Sequence, residues 1–186
     1  ELHAKKFAVM DDAVGEKMQE RILQAKSELN SVGGVIEAVA LRLPAGIGAP
    51  YFDSVESMLS HALFSVPAVK GVEFGDGFGF ARLTGAEAND ALHYVDGKVQ
   101  ALTNHNGGVT GGITNGMPLV VRVAIKPTPS IAREQQTVSL KEQADTTLAI
   151  VGRHDPCIVQ RAVPVIEAVV AWTLWDLLLE AKKWEK

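Results

Sequence analysis

Residues 104–116, "NHNGGVTGGITNG", place the tightest limit on what this chain can fold into, because five of the thirteen are glycine. Glycine reaches backbone conformations closed to other residues and lets the chain come close to a ligand or to another backbone. Two apolar stretches bracket the run, "KVQALT" (98–103) and "MPLVVRVAI" (117–125), and both are expected as strands. No Gly-Lys-Ser or Gly-Lys-Thr closes the loop, so it is not a Walker loop, and "GDGFG" (75–79) lacks the spacing of a dinucleotide fingerprint.

The rest of the chain mixes helical and extended patterns. "DDAVGEKMQERILQAKSELN" (11–30) carries Met18, Ile22, Ala25 and Leu29 at helical spacing, with Asp11 or Asp12 available as the cap. "SVGGVIEAVALRLPAG" (31–46) reads as paired glycines followed by a strand that Pro44 and Gly46 end. "SVESMLSHALF" (54–64) places Val55, Met58, Leu59 and Ala62 on one helical face. "AVKGVEFG" (68–75) is a further strand entering the loose "GDGFGFARLTG", and "AEANDAL" (86–92) reads as a helical turn. "TVSLKEQADTTLAIVG" (137–152) includes at least one short strand. A long final helix is expected from about Arg161 towards Lys183, with Pro164 in its first turn, where proline is tolerated.

No fixed-period repeat or linker divides the 186 residues, which read as a single domain over 1–186. A body of this size buries about 70% of the surface its unfolded chain exposes. A net charge of −4 argues against nucleic-acid binding, which calls for a basic surface, but leaves room for a local basic pocket. The single cysteine, Cys157, excludes an internal disulfide and a cysteine-based zinc site, and fits a reducing, cytoplasmic compartment. His3, His61 and His93 have no metal-ligand spacing, so no metal site is expected. The apolar tract "AVPVIEAVVAWTLWDLLL" is interrupted by Glu167 and Asp176 and is not expected to span a membrane. The opening "ELHAKKFAVMDD", with neither an initiator methionine nor a secretory pattern, reads as a start within something longer.

Two segments carry candidate chemistry. "GRHDPC" (152–157) groups an arginine, a histidine and an aspartate before a proline clamp. In one reading Asp155 caps backbone amides and Pro156 sets a turn. In the other, Arg153 binds an anion through its planar fork and Asp155 is a positioned proton acceptor or donor. In "KPTPS", Lys126, Thr128 and Ser130 offer one cation and two hydroxyls, while Pro127 and Pro129 remove two amide donors. That composition suits a phosphate or a polar ring edge, and equally a stiff strand-ending turn. His105 and His154 are loop histidines, more often surface or supporting residues than acid–base groups.

Together these stretches resemble the chorismate synthase family. "NHNGGVTGGITNGMPLVVRVAIKPTPSI" and "GRHDPCIVQRAVPVIEA" are similar to that family's two most recognisable C-terminal blocks, with "SVGGVIEAVA" and "VPAVKGVEFGDGF" in the right order before them. The resemblance implies an α+β fold, a β-α-β sandwich of antiparallel-rich sheets covered by helices, of which this chain is a fragment. It implies a lyase of the shikimate pathway, in aromatic amino acid biosynthesis. The reaction is the 1,4-elimination of phosphate from 5-enolpyruvylshikimate-3-phosphate, giving chorismate. It further implies dependence on reduced FMN, with NADPH as the reductant in some members, and a homotetramer. By the same resemblance Asp155 lies near flavin N5 as the catalytic carboxylate, and Arg153 lies at the flavin and the substrate phosphate. Lys126, Pro127, Thr128, Pro129 and Ser130 contact the flavin, as does backbone at Gly111 and around Ala68. Family members are roughly twice this length, and the Gly-(Glu/Arg)-Ser-His-Gly motif and arginine-rich segment of their N-terminal half do not occur here. The histidines of those motifs are not replaced by His105 or His154, so this chain alone is expected to be inactive. Gln160 stands where the family commonly has proline, a change expected to be harmless. The alternative is a non-catalytic fragment that binds a flavin or phosphate ligand or serves assembly.

Overall fold

A computed structural model describes residues 5–182 of the chain; His3 and Lys183 lie outside the described residues. The chain divides into two compact units, the first formed by Glu1–Gly34 and Ile125–Val163, the second by Val35–Ala124 and Pro164–Lys186.

In the first unit, helix α1 (Asp12–Ser27) begins where Asp11 accepts hydrogen bonds from Ala13 N (2.8 Å) and Val14 N (3.1 Å). These bonds satisfy amides that have no intrahelical partner. The helix buries Gly15 and Ala25, while Met18 stays largely exposed, contrary to the expected packed face. Leu29 falls beyond the helix with φ +54, its N–H donating to Lys26 O (3.1 Å), and Asn30 N donates to Ala25 O (2.8 Å). That is a Schellman ending with leucine where glycine usually sits, so helical spacing was misleading at its last position. Strands β8 (Gln135–Ser139) and β9 (Ala144–Leu148) pair antiparallel, Thr137 opposite Thr146.

The second unit is organised on a three-stranded sheet in the order β1 (Gly34–Ala40), β7 (Leu119–Ile125), β2 (Val69–Phe74). In β7 side chains alternate, with Leu119, Val121 and Val123 buried and Arg122 and Ala124 on the more open face. That is the period-two signature of a half-covered strand. Helix α2 (Val55–Phe64) packs against β2 and buries Val55, Leu59 and Leu63. Ser54 caps it by accepting from Ser57 N at 3.0 Å. Two small antiparallel hairpins complete the unit: β3 (Leu92–Val95) with β4 (Lys98–Ala101), and β5 (Val109–Thr110) with β6 (Ile113–Thr114) inside the glycine-rich run. Buried Thr114 pins that run: its hydroxyl accepts from Ile47 N (2.9 Å) and donates to Pro44 O (2.7 Å). This mixture of helices and antiparallel hairpins is the α+β class expected.

Helix α3 spans Val159–Lys182 and starts two residues earlier than expected, because Arg161 N and Ala162 N both donate to Ile158 O at 3.0 Å. Pro164 therefore lies inside the helix rather than in its first turn, where it removes one intrahelical donor. Ile166, Val170, Leu174 and Leu177 form its buried face. By length and composition α3 is long and apolar enough to cross a membrane, with 24 residues and an 18-residue stretch of mean hydropathy 1.7, despite Glu167 and Asp176.

Candidate functional site

The predicted "KPTPS" and "GRHDPC" segments both lie in the first unit and are tethered by one short stretch of chain. Ser31 Oγ donates to Thr128 O at 2.6 Å, and its neighbour Val32 donates through N–H to Pro156 O at 2.9 Å. The next residue explains why a glycine follows. A Cβ on Gly33 would run into the Ile125 carbonyl and lie 3.1 Å from Pro127 Cδ. Residues 31–33 thus hold the two candidate segments beside one another.

Within them the polar groups divide into held and free. Asp155 Oδ1 accepts from Cys157 N (3.3 Å) and Oδ2 from Arg161 Nη1 (3.3 Å), fixing the carboxylate from two directions. The Cys157 contact is the turn geometry foreseen in the structural reading of Asp155. Asp155 does not cap α3, whose first residue is Val159. A ring nitrogen of His154 lies 2.9 Å from Ile150 O, a supporting role. Arg153 and Lys126 are exposed and have neither an ion-pair partner nor a side-chain hydrogen bond among the described residues. Thr128 Oγ1 is buried and makes no hydrogen bond. A buried hydroxyl without a partner is uncommon and calls for an explanation. Pro129 O accepts from Gln135 Nε2 at 3.2 Å, and Ser130 is half-buried. Gln160, expected to be a harmless departure, holds the segment before α1, since its Oε1 accepts from Ala8 N at 3.1 Å.

The second unit carries Ala68 and Gly111. Ala68 sits at φ +75, a left-handed conformation that costs a residue with a Cβ about 1–2 kcal/mol. Gly111 has φ +62 and open space where a Cβ would be.

Two polar networks in this unit were not anticipated. Asp90 accepts from His105 N (2.8 Å), Asn106 N (3.0 Å), Asn106 Nδ2 (2.8 Å) and Thr103 Oγ1 (2.7 Å). Partial burial alone would raise its pKa, but these four donors prevail and bring it down to about 2. His105 Nδ1 lies 2.6 Å from Asp76 Oδ2, and Asp76 N donates back to His105 O at 2.8 Å. The other network centres on Arg122, whose Nη2 donates to Gly75 O (2.7 Å) and whose Nε is 3.0 Å from Glu73 Oε1. Glu73 Oε2 in turn accepts from Phe78 N at 3.2 Å. The available signal was an arginine in the middle of the apolar strand "LVVRVAI". A shallow depression of about 220 Å³ borders this network, lined by Val35, Gly71, Glu73, Phe78, Arg122 and Ala124. None of the predicted site residues lines it. Among the described residues no cluster of histidine, cysteine or carboxylate side chains could hold a metal ion.

Comparison with known proteins gives a consistent result. A family model described as chorismate synthase matches residues 1–179. A curated chorismate synthase of Thermococcus gammatolerans is 51% identical over 175 residues, covering 94% of this chain and 49% of the relative. That of Korarchaeum cryptofilum is 47% identical over 167 residues, covering 90% and 46%. A solved structure, "Crystal Structure of Chorismate Synthase", superposes with a TM-score of 0.72 at 34% identity, covering 90% of this chain and 43% of that one. The chain spans about half the length of the curated relatives it matches.

Proposed function

Since the chain belongs to the chorismate synthase family, we propose that residues 1–186 act as one domain, the C-terminal portion of such an enzyme, and supply part of its site. The reaction proposed is the elimination of phosphate from 5-enolpyruvylshikimate-3-phosphate to give chorismate. The observation that carries this reading is 51% identity to a curated chorismate synthase over 94% of the chain.

Reduced FMN, the cofactor implied by the family, can be tested against the residues present. Among the described residues of the first unit, Lys126 and Arg153 in the two candidate segments have no ion-pair partner, and Thr128 carries an unpartnered buried hydroxyl. An anionic, hydrogen-bonding ligand would supply the missing partners, so the residues fit. When bound, reduced FMN supplies the electron that the family's elimination requires. Lys126 and Arg153 would neutralise phosphate charge, and the arginine fork can engage an oxyanion with two parallel bonds. Pro127 and Pro129 present no amide hydrogens, so the hydroxyls of Thr128 and Ser130 act as the polar contacts of that segment. Asp155, held ready by Arg161 and the Cys157 amide, would accept the proton that the reaction releases. In the second unit, the backbones of Ala68 and Gly111 are taken as flavin contacts. Homotetramer assembly and a cytoplasmic site of action complete the reading, with the flavin reduced by NADPH, as in some family members, or by an external reductant, as in others.

The test is genetic. The half of the Thermococcus gammatolerans enzyme that lies outside the match is fused to this chain and expressed in a strain that lacks chorismate synthase. Growth without aromatic amino acids is expected. Failure to grow with a soluble, folded fusion would defeat the assignment.

A further inference from the structure

Pro127 and Pro129 carry no amide hydrogen, so segment 126–130 cannot make a regular strand ladder. Side chains reach its backbone instead. Ser31 Oγ donates to Thr128 O at 2.6 Å, and Gln135 Nε2 donates to Pro129 O at 3.2 Å. The serine contact is the shorter, and it is half-buried where the glutamine contact is exposed. It is also well anchored. Asn30 N donates to Ala25 O at 2.8 Å at the end of α1, and Asn30 Oδ1 accepts from Ser31 N at 2.9 Å. On the other side, Val32 N donates to Pro156 O at 2.9 Å. The Ser31 hydroxyl thus stands on backbone fixed before it by a helix end and after it by the second candidate segment.

Thr128, at the receiving end of this bond, has its own hydroxyl buried and unpartnered. A β-branched side chain has few allowed χ1 settings, so its hydroxyl turns with its backbone. Restraining the Thr128 carbonyl therefore restrains the direction of that hydroxyl. We infer that Ser31 is a positioning residue for ligand binding, whose hydrogen bond to the Thr128 carbonyl aims the Thr128 hydroxyl at the bound ligand. The inference rests on the proposed function for the identity of that ligand, FMN. Ser31 acts through Thr128 and not by a contact of its own. A serine that only held the fold would behave differently. Its loss would lower the melting temperature, and its effect on FMN affinity would be independent of the Thr128 hydroxyl.

The test titrates FMN into the full-length fusion and into three variants: Ser31→Ala, Thr128→Val and the two combined. Each single variant should bind FMN about twofold to tenfold more weakly, the range of one hydrogen bond. The double variant should lose little more than the larger single loss, because both changes remove the same contact. Ser31→Thr keeps the hydroxyl and should retain most of the affinity, whereas Ser31→Cys, a weak donor, should not. Should Ser31→Ala fail to fold, Ser31→Cys takes its place in the cycle with Thr128→Val. Three results would overturn the inference: unchanged FMN affinity on loss of the hydroxyl, single losses that multiply in the double variant, or cysteine serving as well as threonine. A folded wild-type fusion that binds no FMN would instead defeat the functional reading on which the inference stands.

Discussion

Arg153 and Lys126 have no carboxylate partner among the described residues, and experiment can separate a binding role from a structural one. If both serve anions, Arg153→Ala and Lys126→Ala in the full-length fusion should each weaken FMN or substrate binding while the melting temperature holds. Charge-assisted hydrogen bonds contribute roughly 1.5–3 kcal/mol, about a tenfold to hundredfold loss of affinity. Arg153→Lys keeps the charge and removes the fork, so full rescue by lysine would mean that bidentate contact plays no part. Asp155 is the opposite case, a carboxylate already engaged by Arg161 and Cys157. Asp155→Asn should lower turnover about 10²–10⁴-fold and leave FMN affinity largely intact. A change below about threefold would reduce Asp155 to the turn residue that its Cys157 contact also describes. The sequence offered both roles for this residue, and the geometry realises the turn without removing the chemistry. The tether was not legible, because Ser31 and Val32 bind backbone carbonyls more than ninety residues away, and no local pattern encodes such partners.

At the scale of elements, apolar periodicity served well where one face is buried and poorly at ends. The strand β7 was expected from its sequence, and of the face read in α2 Val55 and Leu59 are buried, with Leu63 joining them and Met58 and Ala62 only partly covered. Leu29 continues the helical spacing of α1 but sits in its left-handed ending, because periodicity cannot register a cap that a leucine has taken from glycine. The strands β8 and β9 are short and polar, with little burial to give them a pattern. The paired glycines at the start of β1 were recognised, but the reason for Gly33 lies in its approach to Ile125 and Pro127. Gly33→Ala should therefore destabilise the protein by about 1–3 kcal/mol, as overpacking does, and loosen FMN binding with it. Thermal melts and flavin titration check both effects. The Asp90 network makes a further prediction. Its carboxyl is held at about 2 in the folded protein against an ordinary 3.8. The charged form is thus preferred on folding, and that stabilisation is present above the unfolded value and lost as pH falls from about 4 towards 2. Wild-type melting temperature should fall over that window more steeply than that of Asp90→Asn. Parallel pH profiles would argue against the network if they proved superimposable.

For the molecule as a whole, family membership was legible because long blocks such as "NHNGGVTGGITNGMPLVVRVAIKPTPSI" are specific far beyond their composition. What could not be read was the two-faced character of α3. An apolar tract looks the same whether one side or both meet protein, and only the exposure of Trp172 and Trp175 distinguishes them. The central claim is that this chain holds part of a chorismate synthase site and needs the rest of one to work. An anaerobic assay with reduced FMN and 5-enolpyruvylshikimate-3-phosphate tests it most directly, comparing this chain alone with this chain mixed with the remaining half of the Thermococcus gammatolerans enzyme. The account predicts no chorismate from the chain alone and chorismate from the mixture. Turnover by the 186 residues alone at the rate of the intact relative would contradict it, as would a folded, associated mixture that releases no phosphate.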